Sequence, residues 1–220
     1  MSAVMAVFFG LAGTATADAQ VLREILNRMD AHNKALTSLR ANVTMVKFNS
    51  QLNERDTSEG TTVYLPQKGK NALVRVDWVK PVKESLAVVG QEYVLYRPHL
   101  QQAIKGKVNT SKSKGTNNAL AFMNMSKQQL SANYSVRYLG EESVAGGIKT
   151  WHLELTPKTA TSYKSAELWV DGNGMPIQAM VVENNNDSTT VLLSGIEKNV
   201  KLDASVFAIS PPKGTKIIKG

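Results

Sequence analysis

The 220-residue chain contains no cysteine. That excludes disulfides, thiolate metal sites and a lipid-modified cysteine of its own. Its 3 histidines, His32, His99 and His152, have neither a second histidine nor a carboxylate at metal-ligand spacing, so no metal site is expected. No G-x-S-x-G elbow, phosphate-cradling glycine loop or dinucleotide fingerprint occurs, and Glu141-Glu142 reads as a solvated turn rather than an acid/base pair. No residue is therefore expected to be catalytic and no cofactor is implied; a reactive group would have to be assembled by the fold alone. No Pro/Ser-rich linker divides the chain, no repeat of propeller or solenoid length is visible, and no late apolar run reaches the ~20 residues a membrane span needs.

One short apolar run stands at the start. Ala3 to Gly13 is apolar, and Ala15-Thr16-Ala17 has the small-x-small form of a signal-peptidase site, although a positive n-region is missing. The expectation is a secretory signal over residues 1–17, removed before Asp18 or Gln20, followed by a single domain over 18–220. An uncleaved anchor is the alternative, against which the shortness of the run counts. An exported chain without disulfides needs a large core or a closed sheet, and 42% hydrophobic residues suffice for the former.

Net charge is +8, with lysines such as Lys105, Lys112, Lys198 and Lys216 scattered rather than gathered in a block. Two readings stand: a solvated surface, or attraction to anionic headgroups or an acidic partner face. No nucleic-acid-binding motif accompanies the charge, so nucleic acid is not an expected partner.

Periodicity supplies the fold class. Between Gln20 and Leu39, Leu22, Ile25, Leu26, Met29, Leu36 and Leu39 keep close to a helical rhythm, with Asp18 as the candidate N-cap. The signal then turns to period two over Asn42 to Leu52, Thr61 to Leu65, Val74 to Lys80, Glu84 to Gly90 and Tyr93 to Pro98, a meander reaching about Val108. After the polar loop Ser111 to Asn118, Ala119 to Met125 and Ser126 to Leu130 read as one or two short helices. Strand signals resume at Tyr134 to Tyr138, Thr150 to Leu155, Ala166 to Val170, Ile177 to Val182 and Thr189 to Leu193, with turn residues between them. The predicted class is mainly β with an α lid. About ten or eleven strands form a curved antiparallel sheet, an incomplete, half-open β-barrel, covered by the N-terminal helix and the short helical insertion.

Several strands are apolar on both faces: Leu86 with Val88 against Ala87 with Val89, and Ile177, Ala179, Val181 against Met180, Val182. An open antiparallel sheet ordinarily wets one face. Either this sheet is sandwiched between two layers, or its concave face encloses an apolar cavity. Methionines such as Met29, Met45, Met123, Met125 and Met180 suit a cavity that repacks around varied ligands.

The segment from Val74 to Pro98, with Trp78, Pro81, Gly90, Tyr96 and Pro98 at their spacings, resembles the periplasmic outer-membrane lipoprotein carriers, the LolA-type family. Val170-Asp171-Gly172-Asn173-Gly174-Met175-Pro176-Ile177 and Val206-Phe207-Ala208-Ile209-Ser210-Pro211-Pro212-Lys213-Gly214-Thr215 extend the likeness over most of the chain. The resemblance implies a periplasmic, monomeric lipoprotein chaperone without enzymatic activity. Its concave face would receive lipoprotein acyl chains from an inner-membrane ABC transporter and pass them to an outer-membrane receptor. It implies that Val74, Val76, Trp78, Leu86 and Val88 line the cavity and that Leu120, Phe122 and Met123 belong to the lid. Where the family carries a lid-latching arginine this chain has Gln67-Lys68-Gly69-Lys70-Asn71; Lys70 is the nearest match and Arg75 a second candidate, and a lysine lacks the planar fork that spans two carbonyls. The rival readings are a lipid- or lipoprotein-sensing regulatory domain and a carrier of another envelope lipid.

Overall fold

A computed structural model describes residues 14–67, 71–108, 122–123 and 125–220. Within these residues two meanders and a returning C-terminal strand make one open, curved sheet of twelve strands. The first contains β1 (Leu39–Asn49), β2 (Glu54–Leu65), β3 (Leu73–Lys80), β4 (Glu84–Val89), β5 (Glu92–Arg97) and β6 (Gln102–Lys107). The second contains β7 (Tyr134–Val144), β8 (Ile148–Pro157), β9 (Tyr163–Asp171), β10 (Pro176–Glu183) and β11 (Ser188–Lys198). Tight turns force each meander to pair antiparallel with its own neighbours, and β1 then pairs antiparallel with β11 to fuse the two.

The mainly β class and the open, curved sheet are as expected, with two differences of detail: among the described residues the strands number twelve against about ten or eleven, and the last, β12 (Lys216–Lys219), lies parallel to β6. Parallel pairing is open to β12 because a long connection brings it back. The sheet order is therefore β12-β6-β5-β4-β3-β2-β1-β11-β10-β9-β8-β7. One open edge belongs to β7, where a bulge after Tyr138 is made possible by Gly140 at φ 128°. Such a bulge twists an edge away from stray pairing.

Helix α1 covers Thr14–Ala35, so Asp18 lies inside it rather than capping it, and the helix runs through the predicted cleavage point. It also stops short of the predicted end. Leu36 closes the last turn through its N–H to His32 O at 2.9 Å, after which Thr37 donates its backbone N–H and hydroxyl to Asn199 Oδ1 at 2.8 and 3.0 Å. Leu39 opens β1, where it alternates with Ala41, Val43 and Met45 as buried residues. In a chain with both rhythms at this junction, strand pairing on two sides takes Leu39. Helix α2 (Lys127–Asn133) begins in a capping box, with Ser126 Oγ accepting from Gln129 N at 3.2 Å and Gln129 Oε1 accepting from Ser126 N at 2.9 Å.

Ile25, Leu26 and Met29 of α1 pack onto one face of the sheet in a continuous cluster with Val43, Leu153, Leu168, Ala179, Leu193 and Leu130 of α2. Leu73, Ala87, Ala103 and Phe207 are buried outside that cluster. By register the three strand residues among them face the other way, and the 3-10 turn Ala204–Phe207 packs there against β3 and β4. Both faces thus receive some cover, as the two-sided apolarity requires.

The β1–β2 turn is fastened to the β10–β11 turn by Asp187, whose carboxylate accepts from Ser50 N at 2.8 Å, Ser50 Oγ at 3.1 Å and Asn185 Nδ2 at 2.7 Å. The Ser50 backbone N–H, first among these, holds the Asp187 carboxyl below its usual range. A depressed folded pKa favours the folded state above the unfolded carboxylate value and loses that contribution as pH falls through the folded one. Acidification below about pH 4 is therefore expected to lower the protection factor of the Ser50 amide, its exchange rate being compared with the intrinsic rate at the same pH. Asp187→Ala should show the lower protection factor already at neutral pH, with little further change on acidification. A wild-type Ser50 protection factor indifferent to pH in this window would remove Asp187 from the fastening.

Candidate functional site: the open half of the concave face

Strand alternation places Val74, Val76 and Trp78 on one face of β3, and their cross-strand partners on β4 are Val88, Leu86 and Glu84. The ladder continues that face to Tyr93 and Leu95 on β5 and Ile104 on β6. Passing the other way, Val76 faces Thr62, which faces Ala41, in line with Val43 and hence with Leu193. This is the face that α1 covers. The five cavity residues expected from the sequence thus share the concave face.

Its two halves differ. Over β7 to β11 and β1 the inward residues are sealed, with Leu153, Leu168, Ala179 and Val191 at 0% exposure. Over β3 to β6 only Val76 is sealed, at 1%; Val74, Trp78, Leu86, Val88, Leu95 and Ile104 stay partly exposed. The helices seat on the first half because their polar contacts lie there. Arg28 of α1 donates from Nη1 to Gly172 O at 2.8 Å and lies 5.3 Å from the Trp151 ring. Asn33 Nδ2 donates to Met125 O at 3.1 Å and Lys127 Nζ to Asn27 Oδ1 at 2.7 Å, which fix the α2 region to α1.

Phe122 and Met123 are buried at 1% and 6% and belong to the same apolar cluster as Val76. Phe122 stands edge-on to Tyr134 and Tyr163, at centroid distances of 5.5 and 5.8 Å. Those two hydroxyls share a hydrogen bond of 2.6 Å, and burial, then that bond, pushes the Tyr163 pKa well up. Phe122 is consequently seated on the β7 and β9 ends. Leu120 and Lys70 lie outside the described residues.

Arg75 alternates onto the outer face. Its Nε and Nη2 pair with Asp77 at 2.8 and 3.0 Å, and its Nη1 donates to Val206 O at 2.9 Å and Ala208 O at 3.4 Å. Asp77 also accepts from Ser85 Oγ at 2.6 Å. Arg75 spans two carbonyls as a latch would, but those of the C-terminal segment. As a candidate for the lid it is corrected, since consecutive strand residues face opposite sides.

The sequence reading missed a cluster on the same outer face. His152 Nε2 lies 2.6 Å from Glu167 Oε2 and its Nδ1 3.1 Å from Glu142 Oε2, while its ring stacks on Trp169 at 4.3 Å. Trp169 Nε1 donates to Glu142 Oε2 at 2.8 Å. Three strands bring these groups together from positions too far apart in sequence to form a spacing. Among the described residues no group of three or more such side chains is placed to hold a metal, nor is any helix long and apolar enough to cross a membrane.

Comparison with known proteins bears on this arrangement. The chain is 29% identical over 143 residues to an outer-membrane lipoprotein carrier protein of Ralstonia nicotianae, covering 64% of this chain and 62% of that protein. It is 26% identical over 143 residues to the namesake of Cupriavidus pinatubonensis, covering 64% and 63%. It therefore spans less than two thirds of the length of these relatives. The fold is shared with an uncharacterized conserved protein of Thermus thermophilus, at TM-score 0.58 and 16% identity, over 91% of this chain and 100% of that one. The family model of the outer membrane lipoprotein carrier protein LolA matches residues 37–210, which take in β1 to β11 and with them the whole concave ladder from Val74 to Ile104. A family of lipoprotein carriers, not a class of enzymes, is thus the one to which this chain belongs.

Proposed function

We propose that this protein is a periplasmic carrier that takes lipoprotein acyl chains into the concave cavity between sheet and helices and shuttles them from the inner to the outer membrane. The observation that carries this reading is the division of the concave face: one half is sealed by α1 and α2, while the other offers partly exposed apolar side chains on a continuous ladder. A solvated sheet would alternate to polar residues there. The family adds the class of cargo. The carrier works as a monomer, loaded by an inner-membrane ABC transporter and emptied by an outer-membrane acceptor, after a signal over residues 1–17 has directed its export. Lys70 is the proposed latch of the lid containing Leu120.

Energetics support a partly open site. Three acyl chains of about 16 carbons, at about 0.8 kcal/mol per methylene, represent on the order of 38 kcal/mol against water, beyond the ceiling near 18 to 21 kcal/mol for non-covalent affinity. Complete and tight enclosure would never release such a load. The relevant comparison is cavity against membrane, where the difference is small and its direction can be set by the donor and acceptor proteins.

Native mass spectrometry of the protein from a periplasmic extract tests the reading. A co-purified lipidated peptide is expected. A bound phospholipid would replace the cargo with another envelope lipid, and recovery of an uncleaved chain only in the carbonate-resistant membrane pellet would replace the shuttle with a tethered sensor.

A further inference from the structure

The open floor contains one charged pair. Glu84 lies two residues before Leu86 on β4 and Arg97 two residues after Leu95 on β5, so both side chains alternate onto the concave face, one position beyond the paired residues Ser85 and Tyr96. Trp78 is the cross-strand partner of Glu84, and Gln102 that of Arg97. Arg97 Nε stands 3.2 Å from Glu84 Oε1, yet off the hydrogen-bonding line. Among the described residues, this Nε is the only buried side-chain polar atom that has no hydrogen-bond partner.

A buried N–H without an acceptor is costly, and a charged pair on an apolar face gives up solvation that mutual attraction only partly returns. Hydrophobic side chains would serve a purely structural floor better. Nε itself is covered in the empty protein, but the Arg97 side chain keeps 35% of its surface exposed, so a small turn of the guanidinium would bring an N–H onto a ligand acceptor lying on the floor. Its chemistry is narrowed by Glu84, which already balances the guanidinium charge and repels a second carboxylate or phosphate. A neutral carbonyl fits.

We propose that Arg97, held in place by Glu84, receives an ester or amide carbonyl at the head of the acyl chains. The polar end of the cargo then lies near Trp78 and Arg97, and its chains run along Leu86 and Leu95 toward Val74, Val88 and Tyr93. The floor selects acylated lipids over bare hydrocarbon and admits them in one orientation. This inference rests on the lipid-carrier reading above and adds to it the recognised group.

The test compares a fluorescent dipalmitoylglycerol with its dihexadecyl ether counterpart, which has the same chains and no carbonyls. The wild-type protein is expected to bind the ester about ten-fold more tightly than the ether. In the double variant Arg97→Leu, Glu84→Leu, which leaves no unpaired buried charge, the ester should lose its advantage over the ether, whatever the added apolar surface does to both affinities. Arg97→Lys, which keeps the charge without the Nε–H, should lose the same preference. Equal binding of both probes by the wild type overturns the inference and leaves the carrier reading standing. Equal weakening of both probes in the double variant also overturns it, as the mark of a structural role. Failure of the wild type to bind either probe overturns the carrier reading as well.

Discussion

Gly174→Val is expected to lift α1 off the sheet and lower the melting temperature by about 6 to 12 °C, taking about 3 kcal/mol of lost stability at about 2 to 4 °C per kcal/mol. A Cβ at Gly174 would lie 2.2 Å from Arg28 C, 2.3 Å from Arg28 O and 2.6 Å from Met29 N. All three are helix backbone and cannot rotate away. The residue also sits at φ +82°, which costs a β-branched side chain about 1 to 3 kcal/mol before any clash. Arg28 Nη1 ties the same helical turn to Gly172 O, and the neighbouring Met29 is fully buried, so displacement here uncovers the sealed half of the concave face. Binding of a hydrophobic dye should rise as stability falls. Gly172→Ala is the control, because a Cβ there meets nothing within 4 Å. An unchanged melting temperature in Gly174→Val would mean that α1 does not rest on this turn.

Leu86→Glu should abolish most lipid binding with little loss of stability. Leu86 is partly exposed on the open floor, so its carboxylate can reach water in the empty protein but meets acyl chains in the loaded one. Burying a charge against hydrocarbon costs more than the roughly 1 to 3 kcal/mol assigned to a neutral polar group, so probe affinity should fall by about 100-fold or more. Val76→Glu, by contrast, places a carboxylate at a site 1% exposed within the core and should unfold the protein. Val89→Glu is the matched control: it lies on β4 with the opposite alternation and is 49% exposed, so probe affinity should stay at the wild-type value. Fluorescence titration with thermal melts separates these outcomes. Equal lipid affinity in Leu86→Glu and the wild type would remove the β3 to β6 floor from the binding site.

These variants also separate what is local in the chain from what is not. Alternation and turn chemistry are local, so the sequence predicted the strands around Val74 to Arg97. Once the hairpin between β3 and β4 is tight, Val74, Val76, Trp78, Leu86 and Val88 must share a face. The apolarity of both faces called for cover on each, and both are covered in part. The helix boundary at Leu39 was misread because a leucine satisfies either period, and pairing with β2 and β11 decides between them.

Residues far apart in the chain carry no such signal. The pairing of β1 with β11, the parallel seat of β12 on β6, the meeting of His152 with Glu142 and Glu167, and the reach of Arg75 to Val206 and Ala208 each depend on how the two meanders and the C-terminal segment close on one another. The same holds for the exposed floor. Its apolar residues were legible one by one, but α1 can seal only the half where Gly174 lets its backbone approach and where Arg28 finds Gly172 and Trp151. By itself, then, the sequence determined the strands, their turns and the residues that share the concave face, because period and turn geometry act over a few residues. Which half of that face stays open, and that Arg97 is left there with an unpaired donor, the tertiary structure alone decided, because both depend on contacts that exist only once distant segments are packed together.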